Sequence, residues 1–353
     1  MNLKDGVTTA ENKVSSEAHR LSEIVKDTTK NLTDRLECYE DIISLEVGDT
    51  GLTRAKTLER EFDIRQLYIK YEGDNPTGTQ KDRIAFAQVY DALRREYEAI
   101  SLATCGNYGV AVALAANLAG MNCKIFIPES YHTERITEMQ NLGADIIRLP
   151  GSYEDVVTAS SVRATKEDWY DANPGGANTP LQIQAYSQIA IEIVEELGDA
   201  PKYCAAPVSN GTLFAGIYRG FVTLYKRGKT SRIPKMIAAS STGKNPIIQS
   251  FKEGLENCRD LDPEKIKETK YNEPLINWHS FDGEEALYAI QQSDGEAFNI
   301  SDKKMKEMSS ILLKKEGLRI LPASTAGLIG LLELDKANDL EPDRFVAVLT
   351  AKH

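Results

Sequence analysis

Three short stretches of this chain place reactive or anion-binding residue types where a strand runs into a helix. The first is the apolar run Leu67–Tyr71, followed by Asp74-Asn75-Pro76-Thr77-Gly78-Thr79-Gln80-Lys81. Asn tolerates unusual backbone angles and Pro pre-sets one, so this is turn chemistry. Beyond it, Ile84, Ala85, Phe86, Val89 and Leu93 have the apolar spacing of a helix. Lys81 therefore opens a helix, in the positive field of unpaired N–H groups and the helix dipole. That field, like any desolvation, disfavours the ammonium, and a lysine must be neutral to attack a carbonyl. The second stretch, Thr104-Cys105-Gly106-Asn107-Tyr108, links an apolar strand to an Ala-rich helix. It points several helix-start amides at one place, which suits a carboxylate. Cys105 has no His near it in sequence to activate it, so it reads as a small side chain in a turn. The third, Ser209-Asn210-Gly211-Thr212, precedes the apolar-patterned segment Leu213–Lys226. Small residues with open amides at a helix start suit a phosphate monoester; an ordinary N-cap is the other reading.

Positioning these stretches falls to alternating strands and helices. Candidate strands are Leu67–Tyr71, Ala99–Ala103, Lys124–Pro128, Asp145–Leu149, Tyr203–Val208, Met236–Ser240 and Phe345–Leu349. Segments long enough for crossover helices lie between them, including 132–143, 183–197 and a helix capped at 299–302 and reaching Lys315. This alternation predicts an α/β fold of two domains, each an open, largely parallel sheet with helices on both faces. Ligands of such sheets sit at the C-terminal ends of the strands. Ahead of them, Val14, Ala18, Leu21, Val25, Thr28, Leu32 and Leu36 predict one long amphipathic helix that packs on the body, a second subunit or a partner. The charged stretch 254–283 reads as a surface excursion or a subunit contact.

Composition narrows the classes. A chain of 353 residues is ample for two domains, and 41% hydrophobic with 27% charged is ordinary for a globular protein. The net charge of −11 argues against nucleic acid or an anionic membrane surface, both of which want basic patches. No apolar run approaches the roughly 18 residues of a membrane span. Met1–Gly6 lacks the apolar core of a signal peptide. Cys38, Cys105, Cys123, Cys204 and Cys258 are scattered, and His19, His132, His279 and His353 show no ligand spacing, so no metal or disulfide framework is expected. The expected setting is a reduced cytoplasm.

The block Asn75-Pro76-Thr77-Gly78-Thr79-Gln80-Lys81-Asp82-Arg83 resembles the Asn-Pro-Thr-Gly-Ser-Phe-Lys-Asp-Arg block of the threonine synthase family. That family belongs to the fold-type-II pyridoxal-phosphate enzymes, with tryptophan synthase β chains, serine and threonine dehydratases and cysteine synthases. The resemblance implies that Lys81 is the Schiff-base lysine, with Gln80 departing from the usual aromatic residue. The 104–108 loop is similar to the family's Ser/Thr-x-Gly-Asn loop. This implies that Thr104, Cys105, Gly106, Asn107 and Tyr108 hold the substrate carboxylate, and that Asn107 also faces the cofactor ring. By the same likeness, Ser209, Asn210, Gly211 and Thr212 cradle the cofactor phosphate, and Thr350 bonds the pyridine nitrogen. Leu142-Gly143-Ala144 and Glu316–Ala326 match further family phrases, with Leu321 replacing a Glu. The implied domains are 1–76, the N-terminal helix and first part of a large domain; 77–178, a small mobile substrate domain; and 179–353, a large cofactor-phosphate domain. The cofactor would lie in the cleft between the domains.

The main departure is Trp169–Pro180, which keeps only Asn173-Pro174 of the family's phrase. No Arg or Lys occurs between Trp169 and Leu197, where threonine synthases carry an Arg for the substrate phosphate. A buried dianion normally needs such a cation, which weakens phosphohomoserine as substrate. Leu213 also stands where the family often keeps a substrate-binding Asn. The expected function is a pyridoxal-phosphate-dependent threonine synthase or close relative, performing elimination and replacement on an L-amino acid. The alternatives are a dehydratase or a β-replacement enzyme acting on serine, O-phosphoserine (cysteate synthase-like) or acylated serine, and lastly a non-catalytic cofactor-binding homologue. A homodimer is implied by the resemblance.

Overall fold

The computed structural model describes residues 14–104, 106–131 and 135–353; Met1–Gly6, Cys105 and His132 fall outside them. In chain order the elements are α1 (Ser16–Lys26), α2 (Leu32–Glu46), β1 (Leu52–Arg54), α3 (Lys56–Phe62), β2 (Leu67–Tyr71), α4 (Lys81–Arg94), β3 (Ala99–Ala103) and α5 (Asn107–Ala119). There follow β4 (Asn122–Pro128), α6 (Arg135–Asn141), β5 (Asp145–Leu149), α7 (Tyr153–Lys166), β6 (Tyr170–Asp171), α8 (Thr179–Leu197), β7 (Tyr203–Pro207) and α9 (Thr212–Lys226). The chain ends with β8 (Lys235–Ser241), α10 (Pro246–Lys252), α11 (Gly283–Gln292), β9 (Glu296–Ile300), α12 (Asp302–Glu316), α13 (Ala326–Asn338) and β10 (Phe345–Leu349). It divides into two compact units, residues 1–48 with 75–182 and residues 49–74 with 183–353.

The first unit holds a parallel sheet of four strands in the order β5-β4-β3-β6. Every residue of β3 is buried, as a strand covered on both faces must be. Helix α5 is apolar nearly all round, so it too needs cover on every side. The N-terminal segment supplies part of that cover, in a form the sequence pattern did not predict. The apolar stripe is broken at 27–31, where Asp27 accepts the Thr29 amide and hydroxyl, and Asn31 caps α2 through the Asp34 amide at 2.8 Å. Thr28 is exposed, and α2 buries Tyr39 and Ile42 instead of continuing the stripe. Two helices thus replace the one expected. They also belong with residues 75–182 rather than with the large domain, where a boundary at 76 would put them. Ser22 Oγ donates to Leu118 O (2.8 Å) and Tyr39 Oη to Ala115 O (2.9 Å), both carbonyls of α5. Tyr39 also stacks on Phe86 of α4.

The second unit is a sheet of six strands in the order β1-β2-β10-β7-β8-β9. All pairings are parallel except β1 with β2, an antiparallel edge of the kind a largely parallel sheet admits. Strand β9 is another edge, with polar residues among its apolar ones, and its sequence suggested no strand. One face of β2 and β10 (Leu67, Ile69, Phe345, Ala347, Leu349) packs into a core with α12 and α13. On the opposite face Lys70 is fully buried, its Nζ 2.5 Å from Glu192 Oε2 of α8 and from Thr50 O. Among the described residues no helix is long and apolar enough to cross a membrane.

Candidate active site

In the first unit the turn before α4 is held from both sides. Gly78, at φ +83°, closes it by donating its amide to Asn75 O (2.8 Å). The buried Asp82 carboxylate accepts the Thr77 amide (2.9 Å) and the Thr77 hydroxyl (2.8 Å). Asn75 Oδ1 accepts the Gly48 amide at 3.0 Å. These bonds place Lys81 as the first residue of α4, half-buried, with Nζ 5.3 Å from the centre of the Tyr108 ring. The ring face attracts an ammonium by about 0.5–2 kcal/mol. The helix-start field opposes it by about 0.3–1 kcal/mol.

Tyr108 follows Asn107 at the opening of α5, after the N-cap Gly106. Its hydroxyl donates to Ala172 O (2.7 Å) and accepts from Gln88 Nε2 (2.5 Å). Gln182 Nε2 donates to Gln88 Oε1 and to Asn173 O, both at 3.1 Å. What Tyr108 offers toward Lys81 is therefore its ring, while its polar end ties α4 and α5 to residues 172–182. Thr104 is buried and its Oγ1 accepts the Gly106 amide at 3.3 Å. Lys81, Thr104, Gly106, Asn107 and Tyr108 all belong to this unit. Gln88 and Gln182 were missed in the sequence because a glutamine on a helix carries no local signature of its partners.

The 170–178 segment is fastened by its own carboxylate. Asp171 Oδ1 accepts from the Asn173 amide (3.0 Å) and Asn173 Nδ2 (2.7 Å), while Asn173 Oδ1 accepts the Ala103 amide (2.8 Å). A cation does reach this segment: Arg95 Nη1 donates to Asn178 Oδ1 at 3.3 Å. It stands beyond the far end of α4, about 21 Å of helix from Lys81 at 1.5 Å per residue. A cavity of about 410 Å³ lined by Glu96, Tyr97, Glu98, Lys124, Glu167 and Trp169 lies where β3 and β4 begin. That is the end of the strands opposite to the βα turns that bind ligands in such sheets.

In the second unit, Gly211 is the N-cap of α9 at φ +105°. A Cβ there would stand 2.5 Å from Asp282 O, so only glycine fits. The acceptors of this loop are occupied. Ser209 O takes Asn245 Nδ2 (3.0 Å) and Ser280 Oγ (3.3 Å), Asn210 O takes the Asp282 amide (3.0 Å), and Asn210 Oδ1 takes Asn277 Nδ2 (3.0 Å). Its donors are not: the amides of Ser209, Asn210, Gly211 and Thr212 meet no acceptor among the described residues. A loop with satisfied carbonyls and open amides at a helix start is an anion cradle. The buttress comes from Asn245 and from residues 277–282, so the end of the 254–283 stretch is a support for this loop and not merely a surface excursion. Asn245 before Pro246 carries a cap signature that points to it. Asn277 and Ser280 carry none.

Thr350 follows β10, is buried, and donates through Oγ1 to Ser324 Oγ at 2.9 Å. Ser324 was unassigned from sequence, although it lies in the Pro322-Ala323-Ser324 phrase.

Each taken within its own unit, the lysine amine at the start of α4 suits an aldehyde carbon and the open amides at the start of α9 suit a phosphate. The residues present fit pyridoxal phosphate, and the α/β units with parallel sheets match the fold-type-II class that uses it. The chain belongs to the family described as pyridoxal-phosphate dependent enzymes, whose model matches residues 43–351. It is 29% identical to the threonine synthase of Methanocaldococcus jannaschii over 88% of this chain and 76% of that protein. It is 30% identical to the threonine synthase of a Bacillus species over 87% of this chain and 83% of that one. Among solved structures it resembles a pyridoxal 5'-phosphate-dependent aspartate racemase, with TM-score 0.73 and 19% identity over 90% of this chain and 94% of that one. It also resembles threonine deaminase isoform 2 of Solanum lycopersicum, with TM-score 0.72 and 18% identity over 91% of this chain and 90% of that one. The two likenesses to solved structures speak for the fold.

Proposed function

We propose that this protein is a threonine synthase or a close relative that performs elimination and replacement on an L-amino acid, with Lys81 at the centre of the chemistry. The observation that carries the reading is Lys81 itself, the first residue of α4 behind a turn braced by Asp82. The threonine synthases among its relatives, matched over most of their length, support it. When bound, pyridoxal phosphate supplies the electron sink that lets a bond at the substrate Cα break. Lys81 Nζ then takes and returns the proton at Cα. Thr104, Gly106 and Asn107, together with Cys105, hold the substrate carboxylate, and Asn107 also faces the ring. The amides of 209–212 hold the phosphate, and the Thr350–Ser324 hydroxyl pair faces the ring nitrogen. A hydroxyl there leaves that nitrogen largely unprotonated, which favours elimination over transamination. Residues 77–178 act as the substrate domain and 179–353 as the cofactor-phosphate domain, in a cytoplasmic homodimer without nucleic-acid partners.

A second reading is favoured by the 170–178 segment, whose carboxylate is consumed internally and whose contact with Arg95 is remote from Lys81. It is a dehydratase or β-replacement enzyme for serine, O-phosphoserine or an acylated serine. The deciding experiment mixes cofactor-loaded protein with O-phospho-L-homoserine and follows phosphate and product. Threonine with stoichiometric phosphate supports the first reading. No release, with a cofactor spectrum that still answers to serine or O-phospho-L-serine, supports the second. Lys81→Ala must lose cofactor absorbance and turnover together; retained turnover would sink both.

A further inference from the structure

The phosphate cradle has a buried carboxylate built into its wall. Asp282 is 5% exposed, and its Oδ2 accepts the hydroxyl of Thr212. The same residue donates its amide to Asn210 O at 3.0 Å. Its carbonyl fills the space a Cβ on Gly211 would need. Asp282 is thus held against the loop by main chain as well as side chain, and its carboxylate has no slack to swing away. A threonine hydroxyl carries one proton. Given to Asp282, that proton is not available to an anion on the amides of 209–212, toward which the oxygen then presents lone pairs.

We infer that Asp282 is a positioning residue that withholds the Thr212 hydroxyl from the cofactor phosphate. The phosphate is held by main-chain amides, and more weakly than the loop would allow without that carboxylate. The inference rests on reading 209–212 as the phosphate cradle. In Asp282→Asn the side-chain amide can donate to Thr212 Oγ1 and turn the hydroxyl proton toward the phosphate.

The test is equilibrium binding of pyridoxal 5'-phosphate and of unphosphorylated pyridoxal to the full-length chain after cofactor removal, read by absorbance and calorimetry. Asp282→Asn should tighten pyridoxal phosphate by about tenfold, the worth of one charge-assisted hydrogen bond, and leave pyridoxal unchanged. Thr212→Val should cost the wild type less than about threefold, yet cancel the gain in the Asp282→Asn background, a coupling that a double-mutant cycle isolates. A loss of about tenfold or more from Thr212→Val in the wild-type background would make Thr212 a direct phosphate donor and overturn the inference. That comparison decides the matter even if Asp282→Asn does not fold. Equal binding of the two ligands by the wild type would instead overturn the phosphate-cradle reading, and the inference with it.

Discussion

Two lysines flank the Asn-Pro turn, and their surroundings separate their roles. Lys70 is fully buried and meets Glu192 and a main-chain carbonyl at 2.5 Å each, so its amine is held as a structural cation. Lys81 is half-buried at a helix start beside an aromatic face. A buried pair of the first kind contributes little net stability, but removing one partner strands the other's charge. Lys70→Met should therefore destabilise the fold by about 3–5 kcal/mol, and Lys70→Met with Glu192→Leu should recover most of that loss. Urea unfolding of the three proteins measures both quantities. A single variant as stable as the wild type would mean that Glu192 is not desolvated. At this scale the sequence was legible wherever the local word was enough. Lys81, Asn107 and Gly211 are each set by the residues beside them, whereas Glu192 lies 122 residues from Lys70 and left no mark near it.

Each proposed anion-binding site is the start of a helix fixed by its neighbours. Gly211 shows how tightly: its φ of +105° and the 2.5 Å approach of Asp282 O leave no room for a side chain. An L-residue there pays a backbone cost of about 1–3 kcal/mol before any clash is counted. Gly211→Ala should lower thermal stability and also weaken pyridoxal phosphate more than pyridoxal, since the amides would be turned out of line. Equal weakening of the two ligands would detach this glycine from phosphate binding. Strands that bury both faces, such as β3 and β10, were plain in the sequence because they read as continuous apolar runs. The short edge strands β1 and β9 were not, because exposed polar residues erase that pattern, and β6 is only two residues long. The break between α1 and α2 was hidden for a related reason. Leu32 and Leu36 keep the helical spacing while the chain reverses its packing around Asn31.

For the molecule as a whole, several carboxylates are held by hydrogen bonds within and between segments, and acid should loosen them together. Burial pushes the Asp91 carboxyl up, but hydrogen bonds from Arg94, Tyr170 and Arg95 more than reverse this and hold it below the ordinary range. Asp343 is likewise raised by burial and then brought below its usual value by Arg232 and the Arg344 amide. Asp155 is lowered by the amide and hydroxyl of Ser152. Groups with depressed folded values contribute stability that is complete above the unfolded carboxylate value, near 3.9, and lost as pH falls through the folded one. The urea midpoint should hold nearly level from these groups between pH 7 and about 5, then fall toward pH 3. Asp343→Asn should reduce that fall, and an unchanged pH dependence in the variant would remove Asp343 from the account.

The chain order alone determined the alternation of strands and helices, the lysine at the opening of α4 and the two glycine-bearing helix starts. Those features depend on residues within a turn or two of each other. Tertiary structure alone decided how each is held: Asp282 on Thr212 across 70 residues, Asn277 on Asn210 across 67, and Tyr39 under α5 across 76. Such partners are polar groups whose positions are chosen by burial. An unpaired buried donor or acceptor costs about 1–3 kcal/mol, so each had to find its mate in space, whatever their separation along the chain.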